Sequence, residues 1–315
     1  MARFVKVASV PLNIPSIKDK PEGMSISDFM LNAIKTDLEQ VLPDTPDLIV
    51  LPEMVDTPND MPHEEKRAFW AARGDRTVRD LSAIAKENNC YIAAGVTRDT
   101  EDGKRYNSCV MIDRQGNVMG YYDKNFVVPG ETPHYGNTSG EDITVFDCDF
   151  GRVGAVICFD LNFEELRYKY REAKCDMIVF PSHFDGGLLR NIFAHETGAY
   201  FVSCYAGRFS VSEVFDPLGY SVVQSTNYHH CIVTTLNLDY VICHLDENRQ
   251  KFAAAKKKYG SEVTIHDNGR IGTIILRSES YDRTAADIVE EFGIETREHY
   301  YARSRAHREQ CLSNR

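Results

Sequence analysis

Short apolar, β-branched runs alternate with longer amphipathic stretches along most of the chain. The runs are FVKVASVP (4–11), DLIVLPE (47–53), CYIAAGVTR (90–98), SCVMIDRQG (108–116), RVGAVICFD (152–160), CDMIVFPS (175–182), AYFVSCYAG (199–207) and CIVTTLNLD (231–239). Their length and composition predict strands, several of them apolar enough to be buried on both faces. Between them, SDFMLNAIKTDLEQVL (27–42) sets Phe29, Ile34, Leu38 and Val41 near one side of a helix, with Ser27 as its N-cap. TVRDLSAIAKENN (77–89) and NFEELRYKYREAK (162–174) predict two more helices. Strands alternating with helices argue for an α/β fold. Turns at DRQGN (113–117) and FDPLGYSVV (215–223) add hairpins, so the sheet should be mixed.

The texture changes near residue 240. DENRQKFAAAKKKY (246–259) and TAADIVEEFGIETREHYYARSRAHREQ (284–310) read as helices rich in charge, suited to packing on a partner or on the domain surface rather than to forming a core. The expected division is therefore a domain over 1–240 and a helical extension over 241–315.

Composition narrows the function classes. The chain has 36 basic and 47 acidic residues, a formal charge of −11, which disfavours nucleic acid and anionic membranes as partners. No apolar run approaches the roughly 18 residues of a membrane span, and the start, MARFVKVASVPLN, lacks a signal peptide's apolar stretch, so a cytoplasmic protein is expected. Nine cysteines without a CxxC pair read as reduced thiols. The His229–His230 pair and the scattered cysteines have no zinc-site spacing, and no glycine-rich phosphate loop is present, so no metal and no cofactor are expected.

Candidate chemistry lies at strand ends. VGAVICFDLNFEE closes an apolar strand with Cys158 just before a predicted helix, where unsatisfied backbone N–H groups favour a thiolate. LIVLPE ends a strand in Glu53, after a proline that cannot continue a ladder. GYYDKNFVVPGE places Lys124 after a tyrosine-rich strand and Glu131 in a Pro-Gly turn. A thiol, a base and a cation are the parts of a nucleophilic hydrolase. His134, Tyr135, His183, Phe184, Asp185 and Arg208 lie in or beside loops that follow strands, where α/β sheets bind ligands, and His183 and Phe184 are the strongest of these as substrate-binding residues.

In order and spacing, LPE, YYDK, PGE and VGAVICFDLNFEE resemble the nitrilase superfamily of carbon–nitrogen hydrolases, and the similarity extends through CDMIVFPSHF (175–184), RNIFAHETGAYFVSC (190–204) and SEVFDPLGYSV (212–222). The resemblance implies an α-β-β-α sandwich, with Cys158 as nucleophile, Glu53 as general base, Lys124 as oxyanion-stabilising cation, Glu131 as a supporting carboxylate and the Phe159 N–H as an oxyanion-hole donor. It also implies a homodimer or larger homo-oligomer. The implied reaction is hydrolysis of a small linear amide or N-carbamoyl compound through a Cys thioester. The CFD following the apolar strand favours these over nitriles. The alternatives are a nitrile hydrolase, a glutaminase-like ammonia donor, and a catalytically silent binding protein on the same fold.

Overall fold

The computed structural model describes residues 3–207, 211–267 and 270–314. The chain divides into two compact units, Val5–Thr235 and Leu236–Arg315 with Met1–Phe4.

The larger unit contains two six-stranded mixed sheets. The first has the order β12-β1-β2-β3-β4-β5, from β1 (Phe4–Ser9), β2 (Leu48–Val50), β3 (Tyr91–Asp99), β4 (Arg105–Ile112), β5 (Val118–Asp123) and β12 (Ile232–Asn237). The second has the order β11-β10-β9-β8-β7-β6, from β6 (Val145–Cys148), β7 (Gly151–Ala155), β8 (Met177–Ser182), β9 (Tyr200–Tyr205), β10 (Glu213–Phe215) and β11 (Ser221–Gln224). Each is parallel at its centre, β1-β2-β3 and β7-β8-β9, and antiparallel at β3-β4-β5, at β6-β7 and at β9-β10-β11. Of the central strands β2, β8 and β9 are buried along their length, as their unbroken apolar runs require, and Ser9 of β1 donates to the Ser203 carbonyl of β9 at 2.8 Å where the two sheets meet.

Helices cover the outer faces. On the first sheet, α1 (Ile26–Leu38) and α3 (Arg76–Asn88) contribute Ile34, Leu38, Leu81 and Ile84 to a core shared with Ile49, Ile92 and Val110. Ser25, not Ser27, caps α1, its side chain accepting from the Asp28 N–H. Two further helices, α2 (His63–Arg73) and the short α4 (Glu131–Tyr135), lie against one another. On the second sheet, α5 (Glu164–Ala173) and α6 (Leu188–Thr197) bury Leu166, Tyr170 and Phe193 against Ile178, Phe180 and Phe201. Gly154 makes room for this: a Cβ there would stand 2.5 Å from the Tyr170 ring. The layering is an α-β-β-α sandwich.

The smaller unit departs from the helical reading of the tail. It holds a three-stranded antiparallel sheet, β13 (Tyr240–His244), β14 (Val263–His266) and β15 (Thr273–Ser278), in the order β13-β15-β14, with α7 (Arg249–Tyr259), α8 (Ala285–Glu291) and α9 (Arg297–Ser313). Phe252, Ala255, Ile274, Leu276 and Ile288 form a core of their own. The continuous charged helix expected over 284–310 is broken between α8 and α9, where Gly293 at φ 58° ends the turn. The extension is thus α+β, and the boundary lies at 235/236 rather than at 240. Among the described residues no helix is long and apolar enough to cross a membrane.

Candidate active site

Strand ends bring the chemistry together. Beyond β2 the chain stays pinned to β3, with Leu51 N–H on Ala93 O at 2.8 Å and Gly95 N–H on Pro52 O at 3.1 Å, and this aims Glu53 inward. Gly95 is required for the approach, since a Cβ there would lie 2.5 Å from Glu53 Cα. Lys124 follows β5 and donates its N–H to Asn107 O at 2.9 Å. Past β7, the Val156 N–H bonds Val179 O at 3.0 Å, and Cys158 then turns the chain at φ 49° into a 3-10 turn, Cys158–Asn162. A left-handed conformation is costly for a side chain with a Cβ, and here it lifts the thiol out of the strand line.

The result is a cavity of about 430 Å³ lined by Glu53, Lys124, Glu131 and Cys158 among others. Lys124 Nζ lies 3.2 Å from Glu53 Oε1 and 2.5 Å from Glu131 Oε1. Glu53 also accepts from Asn107 Nδ2 at 2.7 Å and from the His183 N–H at 3.1 Å, and Cys158 lines the same cavity. Glu131 is held by Asn137 Nδ2 at 3.0 Å and the Val128 N–H at 3.1 Å. All three charged groups are buried, so each would be prohibitively desolvated without the others.

A third buried carboxyl group ties the site to its supports. Asp160 accepts from Tyr122 Oη at 2.7 Å, from the Phe126 N–H at 2.8 Å and from the Ile157 N–H at 3.0 Å. It thereby joins the segment carrying Lys124 to the turn carrying Cys158. Burial outweighs these donors and pushes its carboxyl up to about 7.

The electrostatics decide the resting protonation state. Burial and the Glu53 carboxylate push the Cys158 thiol up to about 12, against the pull of Lys124 and of hydrogen bonds from the His183 backbone and Ser182. The pull of the helix start and of Lys124 toward a thiolate is outweighed, and the resting group is the thiol that Glu53 must deprotonate, because desolvation and a neighbouring anion exceed one ammonium. Glu53, despite its burial, is held below the usual carboxylate range, chiefly by Lys124 and then by His183. The two carboxylates and the Cys158 site hold Lys124 charged, well above its ordinary value in spite of desolvation. A carboxylate beside a protonated thiol can take its proton as the sulfur attacks, and a fixed ammonium can meet the negative charge that forms.

Of the residues read as substrate-binding, His134, Tyr135 and His183 line the cavity. His134 stacks on His63 with ring centroids 4.6 Å apart. Phe184 is not in the lining: its ring packs edge-on against Phe180, and Ser182 Oγ donates to its carbonyl at 2.8 Å. Asp185 is likewise outside, paired with Arg190 at 3.2 Å. Arg208 lies outside the described residues. Glu131 starts the short helix α4 rather than sitting in a plain turn, and Phe159 is the second residue of the turn that Cys158 opens. Asn107, Asn137 and Lys66 were not legible near the site, since an asparagine in a strand or a loop and a lysine in a charged helix carry no spacing signal. Among the described residues no group of three or more His, Cys, Asp or Glu side chains could hold a metal ion.

Comparison with known proteins places this geometry. The family model for carbon–nitrogen hydrolase matches residues 6–271. Hydrolase C26A3.11 of Schizosaccharomyces pombe is 24% identical over 226 residues, 67% of this chain and 68% of that protein. Human omega-amidase NIT2 is 30% identical over 116 residues, 35% of this chain and 42% of its own length, so the match spans less than half of that relative. Among solved structures, the amidase from Nesterenkonia sp. AN1, with the acetamide moiety of fluoroacetamide added covalently at its active-site cysteine, superposes with a TM-score of 0.64 at 16% identity, covering 74% of this chain and 90% of that one.

Proposed function

The chain belongs to the carbon–nitrogen hydrolase family, and from that premise we propose that it hydrolyses a small linear amide or N-carbamoyl compound through a thioester on Cys158. The observation that carries the proposal is the convergence of three strand ends on one cavity, where the Cys158 thiol, the Glu53 carboxylate and the Lys124 ammonium meet. The relatives' names, amidase and omega-amidase, favour an amide over a nitrile.

In the first half-reaction Cys158 Sγ bonds to the carbonyl carbon while Glu53 accepts the thiol proton. The carbonyl oxygen gains the negative charge, which Lys124 and the Phe159 N–H stabilise. As the tetrahedral intermediate collapses the C–N bond breaks, Glu53 returns the proton to nitrogen, and ammonia or an amine leaves. In the second half-reaction Glu53 takes a proton from water, the hydroxide adds to the thioester carbon, the C–S bond breaks, and the sulfur recovers the proton. One carboxylate therefore serves as base and acid in turn. Glu131 keeps Lys124 in place and charged throughout.

The test is ammonia release by the wild type and by Cys158→Ala across aliphatic amides, aromatic amides, N-carbamoyl amino acids, N-carbamoyl amines and nitriles. Release from an amide or carbamoyl class, abolished in the variant, supports the proposal. Release that survives in Cys158→Ala overturns it.

A further inference from the structure

We propose that Asn107 is a positioning residue for the base: its side-chain amide occupies one oxygen of Glu53, so that the other, Oε2, is the oxygen that takes the thiol proton and returns it. The inference rests on the reaction proposed above for the identity of the proton's donor.

Asn107 lies on β4, opposite Thr97 of β3, and is fully buried. Strands select against asparagine, and the rest of this one from Cys109 to Ile112 is apolar and buried. A buried amide must find partners for two N–H groups and for an oxygen. The donors are met: Nδ2 is 2.7 Å from Glu53 Oε1 and 3.5 Å from Glu131 Oε2. The acceptor is not, since Oδ1 has no hydrogen-bond partner among the described residues. Turning the amide over would set its oxygen against a carboxylate, so the orientation is fixed by the two acids. A residue kept for stability alone would satisfy both ends, whereas this one satisfies only the end that faces the carboxylates. Its backbone serves the same charges, because the Asn107 carbonyl accepts the Lys124 N–H at 2.9 Å. One strand position thus touches the base, the supporting carboxylate and the segment that carries the cation.

The consequence is an asymmetry within Glu53. Each carboxylate oxygen offers two lone pairs. Oε1 receives two donors, Lys124 Nζ at 3.2 Å and Asn107 Nδ2 at 2.7 Å, while Oε2 receives one, the His183 N–H at 3.1 Å. Oε2 therefore keeps a lone pair for a proton, and protonation at Oε1 would displace the ammonium or the amide. With the proton on Oε2 both donors on Oε1 stay in place, so the group turns from base to acid without rotating. Burial alone would raise the Glu53 carboxyl, and Lys124, His183 and then Asn107 overcome it. Removing Asn107 opens Oε1 to protonation and makes Glu53 harder to ionise.

The experiment uses Asn107→Leu, which fills a similar volume without a donor, and Asn107→Ala, which removes the donor without crowding. Ammonia release is followed across pH, where the acid limb of kcat/KM reports Glu53 in the free enzyme. In both variants that limb should move to higher pH by about one unit, the scale of one hydrogen bond to a charged group. At the optimum kcat should fall about ten- to a hundredfold, with KM changed less. Alkylation of Cys158 by iodoacetamide, read by mass on its peptide, needs the same proton transfer without amide turnover, and at neutral pH should slow about tenfold in both variants. Cys158-dependent release with the limb and the alkylation rate unmoved in both variants overturns the inference and leaves the hydrolase reading standing. A lower rate at every pH with an unmoved limb marks a merely structural role and also overturns it. If the wild type releases no ammonia from any amide while alkylation still slows in both variants, the reaction is wrong and the positioning of Glu53 stands. Alkylation at the wild-type rate in both variants, with no amide turnover, overturns the positioning.

Discussion

Replacing Asp160 by asparagine tests how the site is held. The carboxylate accepts three hydrogen bonds, two at Oδ2 from Tyr122 and Ile157 and one at Oδ1 from the Phe126 N–H. An amide has one oxygen. Its best orientation keeps that oxygen on Tyr122 and Ile157 and turns its NH₂ toward the Phe126 N–H, so a donor faces a donor. The loss is one hydrogen bond at a part-buried group, offset in part because the neutral amide escapes the burial that pushes Asp160 up to about 7. A net cost of about 1–2 kcal/mol follows, which in a unit of this size lowers Tm by about 2–8 °C. The functional cost should exceed the structural one. Phe126 is two residues from Lys124, and freeing its N–H loosens the segment that fixes the ammonium against Glu53, so kcat should fall about ten- to a hundredfold, the scale of a displacement near 1 Å, with KM changed less. Differential scanning fluorimetry and steady-state ammonia release read the two effects separately. A lowered Tm with kcat within about twofold of wild type would refute the reasoning, because the anchor would then have no bearing on the catalytic geometry.

Other expectations follow from the same contacts. Glu131→Gln removes one of the two carboxylates on Lys124 and should cost about ten- to a hundredfold in kcat, by the usual worth of a charge-assisted hydrogen bond; an effect within about twofold would exclude Glu131 from the catalytic set. Glu53→Gln should act in opposite directions on two readouts: amide hydrolysis falls by about 10²–10⁴-fold, while the Cys158 thiolate, followed by absorbance near 240 nm against Cys158→Ala, forms at lower pH because the anion raising the thiol is gone and Lys124 remains. A thiol that titrates unchanged in that variant would contradict the assignment. Gly95→Ala drives a methyl to 2.5 Å from Glu53 Cα and 2.7 Å from Pro52 O, and should cost about 1–3 kcal/mol of stability together with activity, since the backbone that must yield carries the base.

The parts of the molecule that were legible in the sequence are those fixed by local pattern. The runs ending in Glu53 and Cys158 announce strands that stop at the cavity, and the ordered motifs around them carry the candidate catalytic set and the sandwich. What escaped depends on contacts distant in sequence. Asn107 reaches Glu53 across 54 positions, and nothing near it marks the role. Lys66 sits in HEEKRAFW, a stretch that reads as a solvated helix face, and its burial is evident only once α2 is placed. The thiol's environment is hidden for the same reason: a helix start is visible in sequence, but the desolvation that outweighs it is not. In the tail, charged stretches masked the short strands β14 and β15, whose Val263, Ile274 and Leu276 close the core of the smaller unit.

The central claim is that Cys158 carries the acyl group between the two half-reactions, and hydroxylamine trapping tests it most directly. During turnover of an amide substrate, added hydroxylamine should divert the acyl group to a hydroxamate in proportion to its concentration. Acid-quenched enzyme should show, on the peptide containing Cys158, a mass increase equal to the substrate less ammonia. Sustained ammonia release with no hydroxamate formed and no acyl group on that peptide would contradict the account.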